Sequence, residues 1–185
     1  MRIAALISFI VALPLLADPS HRIRTVSGTG VHYFTTSIVH STTPTATGMI
    51  QRSTDIVELT GDLTGRILYH PVSVFDFVKQ TLVNTGHQVF SGTILGSEPV
   101  LLFDDRFRFD VDLATGATTG RVYLLDRLAG PRIRCELDVE GAGLTAEGNA
   151  AIHYTGNCTS SSWSASMYQS HPSQSRPVMA DTARQ

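Results

Sequence analysis

The chain has 185 residues, 42% of them hydrophobic and 16% charged, with a formal net charge of -2. That is enough for one ordinary domain with a core and short for two. Acidic and basic residues are interleaved rather than blocked, which excludes the basic footprint of a nucleic-acid-binding surface.

Residues 1–17 read as a secretory signal peptide. Arg2 supplies the positive end, Ile3 to Leu16 form an apolar run broken only by Ser8 and Pro14, and Leu15-Leu16-Ala17 resembles a cleavage site. The run is shorter than the roughly 20 apolar residues a spanning helix needs. No membrane span is therefore expected after its removal, and the mature chain is expected to be secreted or periplasmic. Residues 18–27 show no periodicity and read as a linker.

From residue 28 onward the pattern is that of short strands. Gly28 to Ser41 suits one long strand, although both of its faces are mixed, and Thr42 to Gly48 with Pro44 suits a loop. Ser53 to Leu59 and Gly65 to His70 read as two strands joined around Gly61-Asp62-Leu63-Thr64-Gly65. In that turn Asp62 is expected to hydrogen-bond its own backbone. Ser73 to Asn84 is ambiguous. Val74, Phe77, Val78, Thr81 and Leu82 have helical spacing, with Ser73 as an N-cap and Gly86 as the stop, while its valines also suit a bulged strand. Gln88 to Leu95 and Val100 to Phe103 form a hairpin around Gly96 to Pro99.

Two further hairpins follow. From Asp105 to Leu113 the odd positions are mostly apolar and the even ones all charged, and a turn at Thr115-Gly116 sets Phe109 opposite Val122, Phe107 opposite Leu124 and Asp110 opposite Arg121. Arg132 to Glu140 alternates without exception. A turn centred on Ala146-Glu147 pairs Val139 with Tyr154, Glu140 with His153 and Cys135 with Cys158. The two cysteines thus meet on one face of neighbouring strands, and a disulfide is predicted, as export permits. Residues 160–185 are rich in Ser and poor in apolar residues and read as a disordered tail. Next-neighbour pairing of short strands predicts an all-β domain over residues 28–159. Its antiparallel meander would close into a small up-and-down barrel with at most one short helix.

The Gly61-Asp62-Leu63-Thr64-Gly65 turn and the later Phe90-Ser91-Gly92-Thr93-Ile94-Leu95-Gly96 segment resemble the punctuation of the allene oxide cyclase-like small barrels and related bacterial families. The pattern covers residues 55 to 158, with identity at about a dozen positions by eye. The resemblance implies a barrel of allene oxide cyclase-like or lipocalin-like form and, for function, an isomerase or cyclase acting on an apolar substrate.

Candidates for chemistry are few. Glu58, Tyr69 and His70 lie near the glycine turn and could act as an acid and base pair at a barrel mouth. Phe107, Phe109 and Tyr154 are candidate ligand-lining residues. Asp104, Arg106, Arg108, Asp110 and Asp112 share one parity and read as a solvated strand face. The histidines His32, His40, His70, His87 and His153 lack metal-ligand spacing and read as structural. No cofactor and no metal are expected. Three readings stay open: a non-catalytic secreted barrel binding a small apolar molecule, an isomerase or cyclase, and a structural extracellular protein with a filled core.

Overall fold

The computed structural model describes residues 22–161 and Trp163. The predicted signal peptide and all of the predicted tail beyond Trp163 lie outside the described residues. Eleven strands follow in order: β1 (Arg22–His32), β2 (Ile38–Pro44), β3 (Gly48–Gly61), β4 (Leu63–Asp76), β5 (Thr81–Ile94), β6 (Val100–Asp104), β7 (Arg108–Asp112), β8 (Thr118–Leu124), β9 (Asp126–Ala129), β10 (Ile133–Leu144) and β11 (Ala150–Ser160). A single 3-10 turn, Phe34–Thr36, separates β1 from β2.

All pairings are antiparallel; some join consecutive strands, and others, such as β1 with β3 and β5 with β7, skip a strand. Strands β1 and β2 run end to end along β3, β6 and β7 end to end along β5, and β8 and β9 continue the same arrangement on β7 and β6. Three interrupted strands and five continuous ones thus make an eight-strand barrel. Strand β11 closes it on β1, from Arg22↔Ser160 to His32↔Ala150. Closure pairs β1 on both sides, while among the described residues β2 pairs only with β3 and β9 only with β6.

Side-chain period two then decides inside from outside. On β10, Ile133, Cys135, Leu137 and Val139 are buried, while Arg134, Glu136, Asp138 and Glu140 face outward. An outer face so charged is the reverse of a lipid-facing barrel band. No helix among the described residues is long and apolar enough to cross a membrane.

One end of the barrel is filled. Leu63, Phe90, Ile94, Leu102 and Leu124 are fully buried there, with Ile133 and Cys158 beside them. Tyr154 seals this end with its hydroxyl, which accepts from the Leu63 backbone N–H at 2.8 Å and lies 3.1 Å from Thr60 O. Gly28 makes room for it: a Cβ there would come within 2.3 Å of that hydroxyl. The Asp62 carboxylate accepts from Ser27 N at 2.8 Å, so it ties the β3–β4 turn to β1 rather than to its own backbone.

The second hairpin has the register expected from its alternation, with Val139↔Tyr154, Glu140↔His153 and Cys135↔Cys158, and the two cysteines are bonded. The first hairpin is shifted by two residues, to Phe109↔Gly120 and Arg108↔Arg121. Asp112 is the reason. Its carboxylate accepts from Ala114 N and Thr115 N, starting the turn early, and the Phe109 ring lies over the bare Cα of Gly120. Asp110 consequently pairs with Arg108 on its own strand, and Arg121 with Asp138 on β10.

Other expectations change too, among them that of one strand over residues 28–41, which is broken by the 3-10 turn, and that of a loop from Thr42 to Gly48, of which Thr42 to Pro44 belong to β2. Residues 73–84 form no helix; they are the end of β4, a turn and the start of β5, paired from Ser73↔Asn84 to Asp76↔Thr81. Phe77 and Val78, which supplied the helical spacing, are exposed in that turn. Residues 22–27, expected in a linker, belong to β1. Asp104 is buried rather than part of a solvated face.

Two substitutions test this frame. The disulfide closes 23 residues of sequence separation, so Cys135→Ser should cost about 3 kcal/mol in the chain-entropy account, read by urea denaturation without reductant. Tyr154→Phe leaves the buried Leu63 N–H without its acceptor and should cost about 1–3 kcal/mol in the same assay.

Candidate functional site

The opposite end of the barrel is hollow. A cavity of about 680 Å3 lies between the inner faces of β3, β4, β5, β7, β10 and β11, within the usual range for small-molecule sites of ~300–1,000 Å3. Inner positions near this end are small or slender, as at Ser53, Ser73, Gly141 and Ala150, so the interior that Phe90 and Tyr154 fill below stays empty here. Val57, Leu59, Ile67, Phe109, Val111 and Val139 make most of its wall. The mouth is ringed by Phe34, Val39, Phe75, Leu113 and Leu144, and among the described residues no lysine or arginine lines the cavity.

A belt of polar side chains crosses the apolar wall. Asp55, Tyr69 and Gln88 stand opposite one another on β3, β4 and β5. His32, at the end of β1, places Nε2 3.0 Å from Asp55 Oδ2, and the Ser53 hydroxyl donates to the same oxygen at 3.4 Å. Asp55 is only 5% exposed, and its Oδ1 has no hydrogen-bond partner. Asn84 Oδ1, nearer the mouth, is also buried without one. Burial works against ionisation of Asp55, but the hydrogen bonds led by that from His32 outweigh it and hold the carboxyl below its ordinary range.

Tyr69 packs edge-on against His32 at 5.3 Å between ring centroids and lies 4.8 Å from the Phe107 ring. Burial, helped by the Asp55 charge, pushes its hydroxyl well above the ordinary phenol value. It therefore stays protonated and able to donate. Gln88 is held from behind, donating through Nε2 to Asp104 Oδ2 at 2.9 Å. Chemically the belt offers an ionised carboxylate with one free oxygen, an imidazole oriented by that carboxylate, and a neutral phenol.

Of the residues singled out from the sequence, Tyr69 faces the cavity, but Glu58 and His70 do not join it. Both have the outward parity of their strands. Glu58 pairs with Arg66 at 3.5 Å and accepts from the Tyr33 hydroxyl at 3.2 Å. His70 stacks on His87 at 4.8 Å and bonds Thr54. Phe109 lines the cavity, Phe107 is buried behind Tyr69, and Tyr154 closes the cavity floor with its hydroxyl already engaged.

Asp55, Asn84 and Gln88 escaped the sequence reading, in which His32 reads as a structural histidine. The available signal was parity: Ser53, Asp55, Val57 and Leu59 alternate with Thr54, Ile56, Glu58 and Thr60, and an aspartate among residues of core parity marks a polar site. Neither parity is clean, because Ile56 faces solvent. No family model matches the chain, and neither a curated protein nor a solved structure does.

The outer histidines give a pH dependence. Burial first, then the neighbouring His87 and His40, lower the His70 pKa from 6.5. The folded state thus binds fewer protons than the unfolded one, and this contribution, present above pH 6.5, is lost as pH falls through the lowered value. The melting temperature should decline as pH drops from ~7.5 to ~5.5, and His70→Gln should flatten that slope in thermal denaturation followed by circular dichroism.

Proposed function

We propose that this protein is an exported, non-catalytic carrier that holds one small, elongated apolar molecule inside the barrel. One observation carries the reading: an eight-strand barrel sealed at one end and open at the other, with an apolar-walled interior of about 680 Å3. Barrels of this strand number have interiors that side chains either fill or leave for one ligand. A purely structural role, which expects a filled core, fits this interior poorly. The signal-like composition of residues 1–17 and the Cys135–Cys158 bridge support export to an oxidising compartment.

A second reading is favoured by the polar belt. His32, Asp55 and Tyr69 are suited to proton transfer in a shaped apolar site, where positioning supplies much of an isomerisation rate. This is the activity class that the allene oxide cyclase-like resemblance implies.

Native mass spectrometry of the full chain, expressed with export and purified without reductant, tests the carrier reading. A non-covalent adduct that disappears on denaturation is expected. Recovered ligand returned to the protein should come back with unchanged mass and chromatographic retention; an unchanged mass with altered retention would instead establish an isomerase. Val111→Trp, which extends into the cavity, should weaken uptake of the apolar fluorophore diphenylhexatriene at least ~10-fold, since overfilling a preformed pocket removes its ligand space.

A further inference from the structure

Two buried oxygens in the cavity have no partner, and both are acceptors. Asp55 Oδ1 lies in the polar belt. Asn84 Oδ1 lies closer to the mouth: Asn84 is opposite Ser73 and Ser73 opposite Gln51, so Asp55 sits four residues further down β3, about 13 Å along the strand. Buried polar groups in folded proteins are nearly always bonded, and one left open inside a binding cavity is complementary to a group that donates.

We infer that the bound molecule carries a hydrogen-bond-donating head, a hydroxyl or an ammonium, which seats on Asp55 Oδ1 while its hydrocarbon body points to the mouth. This rests on the carrier reading and gives it a ligand class. Fatty carboxylates are disfavoured, because their head would meet an ionised carboxylate and no arginine or lysine among the described residues lines the cavity. His32 does not supply the missing cation, since its Nε2 is already turned to Asp55 Oδ2.

The other buried aspartate of the barrel shows what a structural carboxylate looks like in the same fold. Asp104 Oδ1 accepts from Arg106 N at 2.7 Å, and its Oδ2 accepts from both Gln88 Nε2 and Tyr123 N at 2.9 Å. Both of its oxygens are used. Asp55 is comparably buried, 5% against 1% exposed, yet it lines the cavity and one of its oxygens has no partner.

Displacement of diphenylhexatriene, a hydrocarbon with no head group, from the oxidised full chain tests this with decan-1-ol, decylamine and decanoate at neutral pH. The alcohol, the amine or both should displace it at concentrations ~10-fold or more below decanoate, as expected for one hydrogen bond to a charged group. Which of the two is stronger identifies the head as hydroxyl or ammonium. In Asp55→Asn the fluorophore should still bind, and the advantage over decanoate should shrink to within ~3-fold, because the charge that discriminates has gone. Equal displacement by all three probes, a preference for decanoate, or a preference that survives Asp55→Asn would overturn the inference and leave the carrier reading standing. Failure of both the fluorophore and every probe to bind would overturn that reading and this one with it. If Asp55→Asn does not fold, the preference order of the unaltered protein decides alone.

Discussion

Closure of β11 onto β1 is the constraint on which the rest depends. The ladder from Arg22↔Ser160 to His32↔Ala150 joins the two ends of the described chain and fixes the sheet as a cylinder. Once eight strands are closed, the radius no longer adapts to its contents, so side-chain size along each strand decides whether a given level is solid or hollow. At the sealed end Leu63, Phe90, Leu102, Leu124 and Tyr154 fill it, and Trp163 adds cover. Toward the mouth, Ser53, Ser73, Gly141 and Ala150 do not. The cavity follows from small residues within a fixed perimeter.

The interruptions in the strands determine where polar groups enter that cylinder. Along β1 the even positions Val26 and His32 point inward, but after the 3-10 turn the inward position on β2 is Val39, paired with buried Ser53. Between β6 and β7 the inward parity likewise changes, from Leu102 and Asp104 to Phe107 and Phe109. Each of these two breaks delivers a polar side chain on the inner face just before the chain resets: His32 at the first and Asp104 at the second. These two anchor opposite ends of the belt through Asp55 and Gln88. The breaks thus install the polar belt at little cost to the sheet, because β3 and β5 run unbroken behind them.

The same breaks explain what was legible in the sequence. Strands β10 and β11 alternate cleanly apart from an irregularity near their turn, and their register, including the cysteine pair, could be written down directly. The β7–β8 hairpin was readable only to within two residues, since alternation fixes parity and not register, and the Asp112 turn made the choice. Residues 28–41 looked mixed on both faces because two half-strands of opposite parity were read as one. Residues 73–84 mimicked a helix because a tight turn with Gln80 at positive φ exposes Phe77 and Val78 between strands whose inner faces are also apolar. His32 and Asp55 lie 23 residues apart on different strands, and nothing in either local pattern announces that they meet.

Why the fold retains a half-satisfied carboxylate is an energetic question. Burying an ionised group is costly unless its bonding is complete, and a barrel that needed Asp55 only for stability could satisfy it as it satisfies Asp104, with backbone N–H donors from a neighbouring break. His32, Ser37 and Ser53 offset the desolvation and keep the group charged, and the bonds from His32 and Ser53 both fall on Oδ2. The remaining oxygen stays buried and without a partner on a residue that lines an apolar chamber. An arrangement that spends stability to keep a carboxylate oriented but only half satisfied in a cavity is one that functional sites select for and cores select against.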